Sequence, residues 1–220
     1  MNDAITLEKN KVSVKEVGYL FIKRLFDIIC GLGCVLILPI AIVVKIAYVC
    51  DKDFSSIFYS QIRIGKNGKK FKMYKFRSMV PNADEILSKT LETDKVAAEQ
   101  WRKYQKLEND PRITKMGNIL RKISLDEIPQ MFNVLKGDMS MIGPRPLVIG
   151  ELDAHKGNHE IYESVRPGIT GWWACNGRSA TTYKKRLELE YYYCNNRSLW
   201  LDIKCVFLTI IAILFKDGAK

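Results

Sequence analysis

Ile28-Ile-Cys-Gly-Leu-Gly-Cys-Val-Leu-Ile-Leu-Pro-Ile-Ala-Ile-Val-Val44 runs for 17 residues without a charge, with Lys23, Arg24 and Asp27 before it and Lys45 after it. A helix that crosses a bilayer needs about 20 apolar residues, and ~17 is the lower limit. A soluble core helix would want a polar face that this run lacks. A cleaved signal peptide is not expected, because the run starts too far into the chain, follows a polar stretch of mixed charge and has no A-x-A site. Pro39 matters more than the length. It removes a backbone hydrogen bond and presses on the carbonyl four residues earlier, so the helix should bend there. A bent helix of this length is expected to enter the bilayer and leave on the same side, with the freed backbone groups satisfied locally. Lys23 and Arg24 at one end, and Lys45 and Lys52 at the other, then lie near anionic headgroups of one leaflet. The chain divides accordingly into a polar segment (1–19), a re-entrant membrane helix (20–50) and a domain at the membrane face (51–220).

The 220 residues are 47% apolar and 27% charged, which excludes a disordered or collagen-like chain. Lysine and arginine total 35 against 24 acids, a formal charge of +11. Such a balance points to phosphate, whether in nucleic acid, in anionic lipid or on a small molecule. Cys30, Cys34, Cys50, Cys175, Cys194 and Cys205 form no CxxC pair, so they read as small buried hydrophobes and not as disulfides or a zinc site. His155 and His159 have a metal-compatible spacing, yet Gly157 lies between them with no glutamate, so they read as surface histidines.

Outward from the apolar run, Phe58–Arg63 and Phe71–Phe76 alternate with period two around Gly65-Lys-Asn-Gly-Lys69, the pattern of a hairpin. Seven basic residues and no acid lie between Arg63 and Arg77, which suits either a solvated strand face or an anion-facing one. Residues 82–109 have helical period and mixed charge, a surface helix or pair of helices. A last amphipathic helix is expected over roughly Tyr183 to Cys194. Beyond it, Trp200, Leu201, Ile203, Val206, Phe207, Ile210, Ile211 and Leu214 recur at helical spacing. The uncharged stretch from Cys205 to Phe215 is too short to span, so that helix is buried or lies in the interface, and Trp200 with Lys216 suits the second. The expected fold class is α+β, mainly helical, with one small β-hairpin and interfacial amphipathic helices. A large parallel sheet is not expected, since no βα alternation or glycine-rich phosphate loop is present.

Chemistry concentrates in Leu120-Arg-Lys-Ile-Ser-Leu-Asp-Glu-Ile-Pro-Gln130. Pro129 is comfortable in the first turn of a helix, which should begin near Leu125 or Asp126 and run to about Leu135. Ser124-x-x-Glu127 matches a capping box, a purely structural use of these residues. The same helix start gathers amide groups around an anion, and Arg121 and Lys122 add positive charge just upstream. Asp126 and Glu127 point about 100° apart at ~3.6 residues per turn, so they would do different work: one attacking or binding substrate, the other handling metal or proton.

Ser124-Leu-Asp-Glu-Ile-Pro-Gln130, Asn133-Val-Leu-Lys-Gly-Asp-Met-Ser140 and Gly143-Pro-Arg-Pro146 together strongly resemble the bacterial monotopic phosphoglycosyl transferases. Lys23-Arg24-x-Phe26-Asp27, Lys75-Phe-Arg-Ser-Met79, Arg166-Pro-Gly-Ile-Thr-Gly171 and Asn176-Gly-Arg178 extend the resemblance from about residue 20 to the C-terminus. It implies transfer of a sugar 1-phosphate from a UDP-sugar to undecaprenyl phosphate, with release of UMP, at the cytoplasmic face of the bacterial inner membrane. It further implies Asp126 as a nucleophile forming a covalent aspartyl phosphosugar, Glu127 as its partner in proton or metal handling, and Mg2+ held at Asp126 and Glu127. Arg121, Arg145, Lys75 and Arg77 are implied as contacts to phosphate or nucleotide. Membrane lipids are implied as surroundings, nucleic acid is not, and a homodimer is compatible. Two departures stand out: Leu38 precedes Pro39 where the family has serine, and Gly171-Trp-Trp-Ala174 replaces a Gly-Trp-Ala-Gln pattern. Two other readings explain the charge: a non-catalytic scaffold of the same fold, with the acids as a cap, or a membrane-tethered nucleic-acid binder using Phe71, Tyr74 and Phe76.

Overall fold

A computed structural model describes residues 14–104, 107–151, 159–177 and 181–215. The apolar run lies in two helices, α1 (Val14–Gly31) and α2 (Ile37–Cys50), joined by a 3-10 segment over Leu32–Leu36. Pro39 explains the join: its ring nitrogen has no hydrogen for the Val35 carbonyl, so the turn before it tightens. The described part of α1 takes in Val14 to Tyr19, within the stretch expected as a polar lead-in. Among the described residues, Val14–Cys50 is the one helical stretch long and apolar enough to cross a membrane, and only 17% of its most apolar window is buried. A soluble core helix would be mostly covered.

What is buried along it falls on one side. Lys23, Asp27 and Gly31, and then Val44 and Tyr48, sit one turn apart and face the domain. Here the charged flank departs from expectation. Lys23 does not face headgroups: its Nζ donates to Asp202 Oδ2 at 2.8 Å and to the Tyr193 hydroxyl at 3.1 Å. Arg24 donates to the carbonyls of Val134 and Leu135, at the C-terminal end of α6 (Gln130–Lys136), where a cation is favoured. Asp27 Oδ1 accepts from Ser140 Oγ at 2.9 Å and from the Met141 amide at 2.8 Å. Three charged side chains that read as a membrane flank are the bolts between α1 and the domain.

The hairpin forms as its alternation predicts. Strand β1 (Phe58–Ile64) pairs antiparallel with β2 (Lys70–Phe76), from Phe58 opposite Phe76 to Ile64 opposite Lys70, around a turn with Asn67 at φ 57°. A short strand β4 (Leu147–Val148) adds to β1, giving the order β2-β1-β4. A second, parallel pair joins β3 (Ser140–Ile142) to β5 (Gly168–Thr170). Neither β4 nor this pair is foreseen, because strands of two or three residues are too short to show a period.

Residues 82–104 form two helices, α3 (Ala83–Thr93) and α4 (Lys95–Tyr104). Helix α5 (Lys115–Lys122) is capped by the Thr114 side chain, and Gly117 lies so close to Ser78 that a Cβ would stand 1.9 Å from its carbonyl oxygen. Helices α7 (His159–Glu163), α8 (Trp172–Cys175), α9 (Tyr183–Asn196) and α10 (Leu199–Phe215) complete the order. His159 is exposed, as expected, whereas His155, Arg178 and Lys216 lie outside the described residues. The six cysteines are free thiols.

Among the described residues the core is four patches. One sets Val44 and Tyr48 of α2 against Phe76 and Leu120; another sets Phe71 and Met73 of β2 against Val134 and Met139. Helix α10 buries Leu201 and Cys205 against Ile142 and Tyr193 while Trp200, Ile203 and Phe207 stay exposed, so one face is core and the other an apolar surface.

Candidate active site

Asp126 and Glu127 do not open a helix. They occupy a 3-10 turn, Leu125–Glu127, and α6 starts only at Gln130, with Pro129 as its cap. The capping box is not made either. Ser124 takes a left-handed backbone (φ 58°, ψ 20°) and its side chain caps nothing. A non-glycine residue held there costs of order 1 kcal/mol or more and tends to be retained where a site needs it. The turn swings the two acids toward β2.

There they meet Lys75. Its Nζ lies 2.8 Å from Glu127 Oε1 and 3.7 Å from Asp126 Oδ2, so one ammonium bridges two adjacent carboxylates. Asp126 is 8% exposed. Burial raises its pKa above the ordinary carboxylate range, the Lys75 charge pulls it back, Glu127 pushes it up again and Arg121 lowers it. Arg121 is aimed by Ser78, whose Oγ accepts from Nε at 2.9 Å. The close approach at Gly117 permits this contact by laying α5 directly on Ser78.

Glu127 and Lys75 stand at one edge of a cavity lined also by Arg63, Gln130, the Gly143–Pro146 loop, the Gly168–Ala174 segment and Glu190. Its wall rests on three glycines. A Cβ on Gly143 would lie 2.4 Å from the Arg166 carbonyl oxygen, one on Gly168 2.1 Å from the Gly143 amide nitrogen, and one on Gly171 2.0 Å from the Gly143 carbonyl oxygen. The Gly143 amide donates to the Thr170 carbonyl and the Gly168 amide to the Pro144 carbonyl, both at 2.8 Å. Arg145 therefore projects from a loop clamped on both sides by backbone. Its amide donates to Glu190 Oε1 at 3.3 Å, its carbonyl accepts from the Tyr162 hydroxyl, and its guanidinium lies over the Trp173 ring. Glu190 is 1% exposed and is held by Arg186 Nε at 3.4 Å and by Tyr162 at 3.1 Å.

Of the residues picked out from the sequence, Asp126, Glu127, Lys75 and Arg121 converge, and Arg145 faces the same cavity. Arg77 does something else. Its guanidinium is buried over the Tyr48 ring, donates from Nε to the Ser56 carbonyl at 2.6 Å and pairs with Asp53 at 2.9 Å, so it ties the end of α2 to the hairpin. Strand geometry separates it from Lys75, because Arg77 lies just past the end of β2. Arg63, Glu190 and Trp173 are cavity residues not named as site residues from the sequence, where Arg63 only ended the basic run and Trp173 only marked a departure from the family pattern. Arg63 had a signal: in the register Tyr59–Lys75, Gln61–Met73, Arg63–Phe71, it shares a face with Lys75. Glu190 had none, since a lone acid on an amphipathic helix reads as surface.

The donor set suits magnesium in one respect. Two adjacent carboxylates supply hard oxygen ligands, and this ion commonly binds through one or two carboxylates with substrate phosphates completing its shell. Among the described residues no cluster of three or more His, Cys, Asp or Glu forms a ready-made metal cage, so Asp126 and Glu127 would hold the ion only together with a phosphate.

An apolar helix is thus bolted to a small α+β domain, with a buried aspartate beside a cavity that Arg63 and Arg145 line. The chain matches the bacterial sugar transferase family model over residues 18–216: this protein belongs to that family. It is 44% identical over 199 residues to the undecaprenyl-phosphate galactose phosphotransferase of Salmonella typhimurium, an alignment covering 90% of this chain and 42% of that one. It is 43% identical to the UDP-galactose-lipid carrier transferase of Erwinia amylovora, again over 90% of this chain and 42% of the other. Against the exopolysaccharide production protein ExoY of Sinorhizobium fredii the identity is 40%, over 90% and 87%. The chain thus spans less than half the length of the first two relatives and most of the third.

Proposed function

We propose that this chain is a phosphoglycosyl transferase that moves a sugar 1-phosphate from a UDP-sugar onto undecaprenyl phosphate, initiating a surface polysaccharide or glycoconjugate. The observation that carries this reading is the buried Asp126, with Lys75 bridging it to Glu127 at the rim of the cavity that Arg145 faces. The names of the Salmonella, Erwinia and Aeromonas relatives, the last an N-acetylgalactosaminephosphotransferase, supply the lipid carrier and the kind of sugar.

In the first half-reaction an Asp126 carboxylate oxygen attacks the phosphorus that bears the sugar. The bond from that phosphorus to the bridging oxygen breaks, and UMP leaves. In the second, a phosphate oxygen of the lipid attacks the same phosphorus and Asp126 departs as carboxylate. Splitting the transfer lets the soluble product leave before the lipid enters. Lys75 favours the ionised, attacking form of Asp126 against the effect of burial, while Glu127 takes part of the Lys75 charge and, in the second half-reaction, takes the proton of the lipid phosphate as its oxygen attacks. Magnesium, held by Asp126 and Glu127 with the phosphates, would supply charge neutralisation. Arg145 and Arg121 offset the negative charge that gathers as two phosphorylated substrates meet.

Membrane topology belongs to the same proposal. Asp27, just before the apolar run, binds Ser140 and Met141, and Tyr48, just after it, donates to the Arg77 carbonyl at 2.7 Å. Both ends of the run therefore attach to one domain, which supports entry and exit on one side of the bilayer, with the domain on the cytoplasmic face. The exposed apolar side of α10 extends that membrane-facing surface.

The test is to incubate the purified full chain in lipid nanodiscs with Mg2+, polyprenyl phosphate and a panel of UDP-sugars beginning with UDP-galactose. UMP release should follow one donor, and mass spectrometry should find a sugar-phosphate adduct on Asp126 when the lipid is withheld. Turnover that persists in Asp126→Asn would sink the covalent route, and no turnover with any nucleotide sugar would sink the enzyme reading.

A further inference from the structure

Arg63 sits at the end of β1, where its guanidinium is an oddity. The residue is 7% exposed, yet it lines the cavity. One terminal nitrogen donates to the Pro146 carbonyl at 3.0 Å and the other to Gln61 Oε1 at 2.6 Å, both neutral acceptors. Its Nε is buried and makes no hydrogen bond. No carboxylate forms a salt bridge with it among the described residues. A buried guanidinium without an anion is expensive to maintain, because lost hydration is not replaced by an opposite charge.

The surroundings make the imbalance worse. Burial pushes its pKa down to about 10, and the nearby positive charges of Arg145 and Arg186 act in the same direction, offset partly by Glu151. Arg186 is already committed to Glu190 and Glu151, the latter at 3.0 Å. Arg63 and Arg145 thus flank the Pro144–Pro146 loop, one from within the sheet and the other from the loop itself; among the described residues neither guanidinium forms a salt bridge, and Glu151 acts on both only at longer range. A pair of guanidiniums arranged in this way is a receptor for an anion, and the planar donor fork matches phosphate oxygens.

We propose that Arg63 is a further phosphate-binding residue of this cavity, its guanidinium donating to the diphosphate of the donor opposite Arg145. This rests on the functional reading above for the identity of the donor, but not for the existence of the anion site. Arg63 takes the phosphate that leaves with the nucleoside, while Lys75 and Asp126 attend the one that is transferred. Its bond to Pro146 couples that contact to the position of Arg145, so the cavity wall firms when the anion arrives.

Binding can be read without turnover. Calorimetric titrations of the full chain in nanodiscs would use inorganic pyrophosphate, UDP and uridine as probes, on the wild type, Arg63→Gln and Arg63→Lys. Loss of one charge-assisted hydrogen bond to a buried anion predicts roughly 10- to 100-fold weaker pyrophosphate and UDP binding in Arg63→Gln. Arg63→Lys, which keeps the charge and can still reach the Pro146 carbonyl, should fold as the wild type and recover part of that loss. Uridine binding should not change. If Arg63→Lys, or a folded Arg63→Gln, binds pyrophosphate and UDP as the wild type does, Arg63 merely props the loop and the proposal fails, even with the transferase reading intact. If pyrophosphate binding falls as predicted while no UDP-sugar is ever turned over, the anion site stands and the transferase reading fails.

Discussion

At the scale of the residue, Asp126 joins two demands that oppose each other. On the proposed covalent route it would attack as the carboxylate, yet its burial, the largest influence on it, favours the protonated acid. Because its folded pKa is raised, the cost to stability is absent below the ordinary carboxylate pKa and complete above the raised value. Asp126→Asn should therefore abolish transfer while leaving the melting temperature at pH 8 equal to or above that of wild type, measured by UMP release and thermal unfolding. Turnover should fall as pH drops through the raised pKa of Asp126. Lys75 is the strongest influence lowering that pKa, so Lys75→Met should cut turnover at least 100-fold and move the acid limb of the pH–rate profile to higher pH. A limb that stays in place would show that Lys75 does not tune Asp126. In the sequence, the identity of the acids was legible but their conformation was not. Ser124 and Pro129 read as a cap and a first-turn proline. What the structure makes is a left-handed residue and a 3-10 turn, because contact with β2 outweighs local capping preference.

At the scale of the element, the decisive contacts run between short pieces far apart in the chain. Asp27 is 1% exposed and satisfies two donors at the start of β3, so Asp27→Ala strands both Ser140 Oγ and the Met141 amide. Stranding them should cost about 2 to 4 kcal/mol. That corresponds to a melting temperature roughly 5 to 15 °C lower for a chain of this size, read by thermal unfolding in detergent. At Gly143 the obstacle to a side chain is backbone, the Arg166 carbonyl and the Gly168 amide, which cannot step aside. Gly143→Ala should destabilise by about 1 to 3 kcal/mol and lower turnover further by displacing Arg145, whereas Gly150→Ala, in open space but at positive φ, should carry only backbone strain. The hairpin was visible from its alternation and its Asn-Gly turn. The β3–β5 pair was not, since its partners are about 28 residues apart and offer no periodic signal.

At the scale of the whole molecule, the apolar helix and the candidate site belong to one arrangement. Helix α1, β3, α9 and α10 meet at Lys23, Asp27, Tyr193 and Asp202, and Tyr193 itself lines the cavity. A chain that enters and leaves one face should leave both ends of the apolar run accessible from that face. A cysteine placed at Lys15 and the native, exposed Cys50 should both react with a membrane-impermeant maleimide in inverted vesicles, and neither should react in intact spheroplasts. Opposite labelling would mean that the helix crosses. Pro39→Ala restores the missing donor and should raise the fraction that crosses.

What the sequence by itself determined is whatever depends on near neighbours: the uncharged run, the hairpin, the amphipathic helices, and the carboxylates beside basic residues. Periodicity, proline chemistry and charge are local properties, so they survive without coordinates. Only the tertiary structure decided which cations meet which anions. Lys23 and Arg24 turned inward to Asp202 and to the carbonyls ending α6, Arg77 became a strut, and Arg63 emerged in the cavity wall. Long basic side chains look alike in a sequence, and their roles separate only when folding removes some of them from water and sets a partner, or no partner, within reach.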